Sequence, residues 1–108
     1  MFSEMKAMWL LVMFDLPVKT KAQRREYTRF RNLLLANGCM QLQYSVYARF
    51  CVSRENADTY GRIIQPAVPN GGFVRILMVT DKQFGEMVSL YGEMELEVEP
   101  EPEQLLLF

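Results

Sequence analysis

The chain has 108 residues, 50% of them hydrophobic and 12% aromatic, which suits one domain with a small core. It contains no histidine, which removes Ser-His-Asp and Cys-His nucleophiles, histidine acid/base chemistry and most zinc sites, and leaves carboxylates with a hard metal, or Lys, Tyr or Arg. The net charge of −1 is unevenly spread: without residues 93–108 the chain has 12 basic and 7 acidic residues, a basic body with an acidic tail, which favours an anionic partner such as nucleic acid.

Lys6 before an apolar run faintly imitates a signal peptide, but Asp15 and Pro17 interrupt it and no small-residue cleavage pattern follows, so a cytoplasmic protein is expected. Met8 to Phe14 are seven consecutive apolar residues, too few to cross a bilayer, which takes about 20 in a helix. They predict a central strand covered on both faces. Pro17 lacks an N–H and disfavours helical geometry at Leu16, so the strand ends with Asp15 at its carboxyl edge. That position suits a functional carboxylate, and it equally suits a simple turn cap.

Thr20 and Gln23 form a capping-box pattern and Asn37-Gly38 a stop, which predicts a helix over 21–36. Tyr27, Phe30, Leu33 and Leu34 mark its sheet-facing side. Lys21, Arg24, Arg25 and Arg29 spread over the other side, with Arg31 on its flank, a basic ridge a few residues beyond Asp15. A solvated helix face is the plain alternative, although such faces normally mix signs and Glu26 alone interrupts the six basic residues from Lys19 to Arg31 here.

From Met40 to Val52 the chain alternates, with Met40, Leu42, Tyr44, Val46, Ala48, Phe50 and Val52 on one parity and Gln41, Gln43, Ser45, Tyr47, Arg49 and Cys51 on the other. This predicts extended structure with one face buried, either bent near Ser45 into two strands or running on to meet another chain. Ser53 caps a second helix with Ala57, Tyr60, Ile63 and Ile64 on one side, closed by Pro66, Pro69 and Asn70-Gly71-Gly72. Phe73 to Thr80 predicts another apolar strand, and Asp81 to Gly92 a turn with a short helical segment. Cys39 and Cys51 lack CxxC spacing and are expected as buried, reduced thiols.

Glu93 to Val98 alternates Glu with Met94, Leu96 and Val98, the pattern of an edge strand with an acidic outer face. Residues 104–108, QLLLF, are too apolar for a free terminus and dock either on the domain's own core or on a partner. Residues 1–92 are thus read as one domain and 93–108 as an acidic strand with an apolar tail. The order β-α-β(β)-α-β-β gives an α+β, ferredoxin-like βαββαβ sandwich with an extra C-terminal strand. Many unrelated activities share that fold.

Four segments resemble CRISPR-associated protein 2: LLVMFDLP, RREYTRFRNLLLANG, QLQYSVYARF and VRILMVTDKQF. Gln43, Ser45, Val46 and Tyr47 are the most specific part, and the wording MFDLP and TDKQF with the QLLLF end is most like members accompanying type II systems. Many relatives carry Tyr where this chain has Phe14, so a role for that hydroxyl does not transfer. The resemblance implies a homodimer with last strands crossing between subunits, placed between two dimers of the integrase, CRISPR-associated protein 1. It further implies binding of the protospacer duplex backbone by basic residues. For some members it also implies a metal-dependent nuclease in which the residue matching Asp15 ligands the metal.

Two function classes follow. A binding subunit needs only the ridge of Lys21, Arg24, Arg25, Arg29 and Arg31, whose phosphate contacts would serve double-stranded DNA, and RNA too, of any sequence. An endonuclease needs Mg²⁺ at Asp15, and one carboxylate per chain is a poor site unless a twofold axis brings two together in one shared site. A ligand-sensing regulatory domain is disfavoured, since no Gly-rich ligand loop is present.

Overall fold

A computed structural model describes residues 6–92 of the chain. Its elements are β1 (Met8–Asp15), α1 (Lys21–Ala36), β2 (Met40–Gln43), β3 (Val46–Cys51), α2 (Arg54–Ile64), a 3₁₀ turn at Gln65–Ala67, β4 (Phe73–Thr80) and a short α3 (Asp81–Gly85). The sheet order is β2-β3-β1-β4 with every pairing antiparallel, the ferredoxin-like arrangement, and β1 is central. The expected strand at Glu93 to Val98 and the QLLLF end lie outside the described residues, as does the division at residue 93.

Local chemistry sets the boundaries. Thr20 accepts the Gln23 amide while Gln23 Oε1 accepts the Thr20 amide, so both halves of the capping box start α1. Gly38 ends α1 at φ +84°, where a side chain would be strained. Ser53 caps α2 through the Asn56 amide. Both helices lie on one face of the sheet: Leu10, Val12 and Phe14 of β1 pack with Phe30 and Leu34 of α1 and Ala57 and Ile64 of α2. Burying each large apolar side chain of that core contributes about 1.5–3 kcal/mol, so Phe30→Ala would remove one of the two fully buried anchors of α1, the other being Leu34. Ile63, expected on the packed side of α2, is 39% exposed, one position off the Ala57–Ile64 line.

Two expectations about the sheet need correction. β1 is covered on one face only, because Trp9, Leu11 and Met13 point away from the helices and stay partly exposed. The 40–52 segment bends into two strands, as one alternative held, yet the side under the helices is Tyr47 and Cys51, the parity richer in polar residues, while Val46 and Phe50 face away. Tyr47 can be buried because Arg31 Nε donates to its hydroxyl at 2.8 Å. The Tyr44-Ser45 turn uses no positive φ; a register shift between Gln41 and Gln43 accompanies the reversal, and the Phe14 amide donates to the Ser45 carbonyl at 3.1 Å. Cys39 and Cys51 are buried free thiols, as expected.

Candidate nucleic-acid interface and strand-end cleft

Asp15 is exposed at the last position of β1. Alternation places it on the open face, with the Tyr44-Ser45 turn on one side and β4 on the other. The resulting open cleft is lined by Met13, Phe14, Asp15, Ser45, Val46, Phe73 and Arg75. Asp15 is the sole carboxylate lining it, and among the described residues no three or more His, Cys, Asp or Glu gather to hold a metal. One chain's donors therefore do not fit a resident Mg²⁺, which prefers six oxygens.

Behind the cleft, on the helix side, stands an aromatic cluster. Phe14 meets Tyr27, Phe30 and Tyr47 with ring centroids 6.0, 5.2 and 5.7 Å away. Tyr27 stacks on Tyr44 at 6.2 Å. Burial, reinforced by the neighbouring Tyr44 hydroxyl, pushes the Tyr27 phenol up to about 12, so it is a poor proton donor at neutral pH. Phe14 takes its place in this packing through its ring alone.

The ridge residues are not equivalent. Arg24 turns back to the entry loop and donates to the Val18 and Lys19 carbonyls at 3.2 and 3.1 Å. Arg29 pairs with Glu26 at 2.5 Å, in solvent. Arg31 is partly buried by its bond to Tyr47. Lys21 and Arg25 are exposed and make no polar side-chain contact among the described residues. α1 packs through Phe30 and Leu34, so its charged side points away from the sheet, whereas Asp15 lies on the far face. The ridge begins six residues after Asp15 in the chain, and the fold sets the two on opposite sides of the sheet.

Arg49 was not singled out by its sequence pattern. It donates through Nε to the Asn37 carbonyl at 2.9 Å and through a terminal nitrogen to Tyr60 Oη at 2.5 Å, with its guanidinium carbon 4.0 Å from the centre of the Tyr60 ring. It joins β3 to the C-terminus of α1 and to α2, where a cation also suits the helix dipole.

The family model described as CRISPR associated protein Cas2 matches residues 8–87. A protein of Paracidovorax avenae named CRISPR-associated endoribonuclease Cas2 is 44% identical over 108 residues, covering 100% of both chains. One of the same name from Flavobacterium psychrophilum is 40% identical over 106 residues, covering 98% of this chain and 92% of the other. The crystal structure of Streptococcus pyogenes Cas2 matches with a TM-score of 0.59 at 19% identity, over 78% of this chain and 99% of that one, a likeness of fold.

Proposed function

Since the chain belongs to the CRISPR associated protein Cas2 family, we propose that it is a cytoplasmic adaptation subunit that binds the protospacer DNA backbone and bridges two dimers of the integrase, CRISPR-associated protein 1. The observation that carries this reading is the outer side of α1, where Lys21 and Arg25 stand exposed with one acidic residue, Glu26, among the basic ones. Arg and Lys contacts to phosphate give affinity without sequence preference, as suits a protein that must accept any invading DNA. The type II assignment rests on the MFDLP, TDKQF and QLLLF wording alone.

Homodimerisation is part of the proposal. Phe50, Phe73 and Leu77 on the open face are 41, 58 and 50% exposed, an apolar surface that a second copy would cover. No helix among the described residues is long and apolar enough to cross a membrane. β4 is an edge strand, and the alternating Glu93 to Val98 segment of a partner would extend it by strand addition.

A second reading, metal-dependent endonuclease, is supported by the exposed Asp15 in its cleft and by the name endoribonuclease on the relatives. It requires the Asp15 of each of two subunits to supply the two carboxylates that one chain lacks. Mg²⁺ held by those two carboxylates would supply Lewis-acid polarisation of a phosphoryl oxygen and activation of water.

One experiment separates the readings: the wild-type protein, Asp15→Ala and the Arg24/Arg25/Arg29→Ala variant are each incubated with RNA and with duplex DNA, in Mg²⁺ or chelator. Light scattering on the same samples reads the dimer. The binding reading expects a dimer that holds duplex DNA in chelator and loses it in the triple variant; wild-type affinity and salt dependence in that variant would refute it. The nuclease reading expects cleavage in Mg²⁺ that Asp15→Ala abolishes, and cleavage that persists in Asp15→Ala would refute the ligand role.

A further inference from the structure

On the open face of β1, β3 and β4 the strand residues are apolar with two charged exceptions, Asp15 and Arg75. β4 pairs with β1 so that Asp15 stands opposite Phe73 and Met13 opposite Arg75. The charged pair are thus diagonal neighbours on one face, a relationship that sets Cα atoms roughly 7–8 Å apart. Both line the cleft that also holds the Ser45 side of the β2–β3 turn. The Arg75 guanidinium carbon lies 4.9 Å from the centre of the Phe73 ring, the residue facing Asp15, so its head leans toward the strand end.

The two charges do not neutralise each other by contact: among the described residues the ion pair formed is Glu26–Arg29, and no side-chain hydrogen bond engages Arg75 or Asp15. A bare carboxylate repels phosphate. A guanidinium beside it, with its donors unspent, offers the planar fork that matches phosphate oxygens. We propose that Arg75 is the phosphate-positioning residue of this cleft, holding a phosphodiester group of nucleic acid beside Asp15. The inference rests on the nucleic-acid reading above but uses the face opposite the α1 ridge, at the strand-end rim of the surface that a second copy would cover. The plain alternative is that Arg75 only packs on Phe73 and keeps an edge strand soluble, a role that would affect stability or dimerisation and leave binding alone.

The test is a double-mutant cycle in chelator on the full chain, reading equilibrium binding of a short labelled RNA and a duplex DNA across a salt series. The proteins are wild type, Arg75→Ala, Arg75→Lys, Asp15→Asn and the Arg75→Ala/Asp15→Asn double variant, with light scattering and thermal melts confirming fold and assembly. The expected result is about a tenfold loss for Arg75→Ala, a shallower salt dependence and partial recovery in Arg75→Lys. The loss should shrink in the Asp15→Asn background, where no carboxylate remains to repel the phosphate. Wild-type binding by Arg75→Ala at every salt concentration would overturn the inference, and if the Arg24/Arg25/Arg29→Ala variant lost binding beside it the nucleic-acid reading would stand. Wild-type protein that binds neither RNA nor DNA would overturn both.

Discussion

Trp9 Nε1–H donates to Asp81 Oδ1 at 2.8 Å, joining the first turn of α3 to the second residue of β1 across 72 positions of sequence. The same indole stacks on Phe84 with centroids 3.9 Å apart and meets Phe50 edge-on at 5.5 Å. The Asp81 amide adds a bond to the Ala7 carbonyl at 3.0 Å. A helix of five residues could not persist by propensity alone, so these contacts and the Thr80–Gln83 capping box must hold it.

Asp81→Ala should therefore cost about 1 kcal/mol, typical of one exposed hydrogen bond with a favourable first-turn charge, and should red-shift the emission of the lone tryptophan. Urea unfolding followed by fluorescence checks both. An unchanged midpoint with unchanged emission would show that α3 does not rest on Trp9.

Arg49 should be the most sensitive cation of the chain. Removing it leaves the Asn37 carbonyl and the Tyr60 hydroxyl without their donor and strips the cation from the Tyr60 face, so Arg49→Ala should cost about 2–3 kcal/mol. Arg49→Lys should recover less than half, because an ammonium cannot fork between two acceptors. Chemical denaturation of both variants decides it, and near-equal stability of Lys and Arg would leave only a point charge at work.

The contrast between Arg49 and its neighbours shows what the sequence could carry. Elements whose signals are local were legible: Thr20 and Gln23 set the start of α1, Gly38 its end, and Pro17 and Asn70-Gly71-Gly72 bracket the strands that meet at Asp15. The direction each strand faces was not, because β3 hides Tyr47 with its hydroxyl accepting from Arg31, a pairing 16 positions away that alternation cannot express. For the same reason Asp15 and Arg25, ten positions apart in the chain, end on opposite sides of the sheet, while Asp15 and Arg75 come to one cleft.

Alkaline pH should weaken the fold through its buried thiols and a phenol. Burial pushes the Cys39 thiol from 9.0 up to about 11 and the Tyr27 phenol from 10.0 up to about 12, and it raises Cys51 too. All three hold their protons more tightly folded than unfolded. Their contribution is complete below about pH 9 and is lost as the pH climbs toward 11 and then 12, where the unfolded chain has already ionised. Urea midpoints from pH 7 to 11 should fall from pH 9 upward, and Cys39→Ala should flatten the first part of that fall. A midpoint independent of pH through about 10, midway in the Cys39 range, would show the thiol to be solvated.

The last prediction divides the basic ridge. Arg24 already gives its guanidinium to the Val18 and Lys19 carbonyls, and Arg29 shares its charge with Glu26, whereas Lys21 and Arg25 are uncommitted among the described residues. A DNA phosphate approaching α1 finds Lys21 and Arg25 with no protein partner to displace, so these two should carry more binding than Arg24 and Arg29. Lys21→Ala with Arg25→Ala should weaken duplex binding on every sequence alike and lower the salt slope by about two per subunit, with no loss of stability. Arg24→Ala should instead destabilise the β1–α1 entry by about 1 kcal/mol and change binding less. Arg29→Ala should change little by itself, since it also frees Glu26 to repel phosphate only at an exposed position. Titrations of the three variants against one duplex at several salt concentrations distinguish this ranking from its reverse, in which the exposed pair is silent and the committed arginines bind DNA.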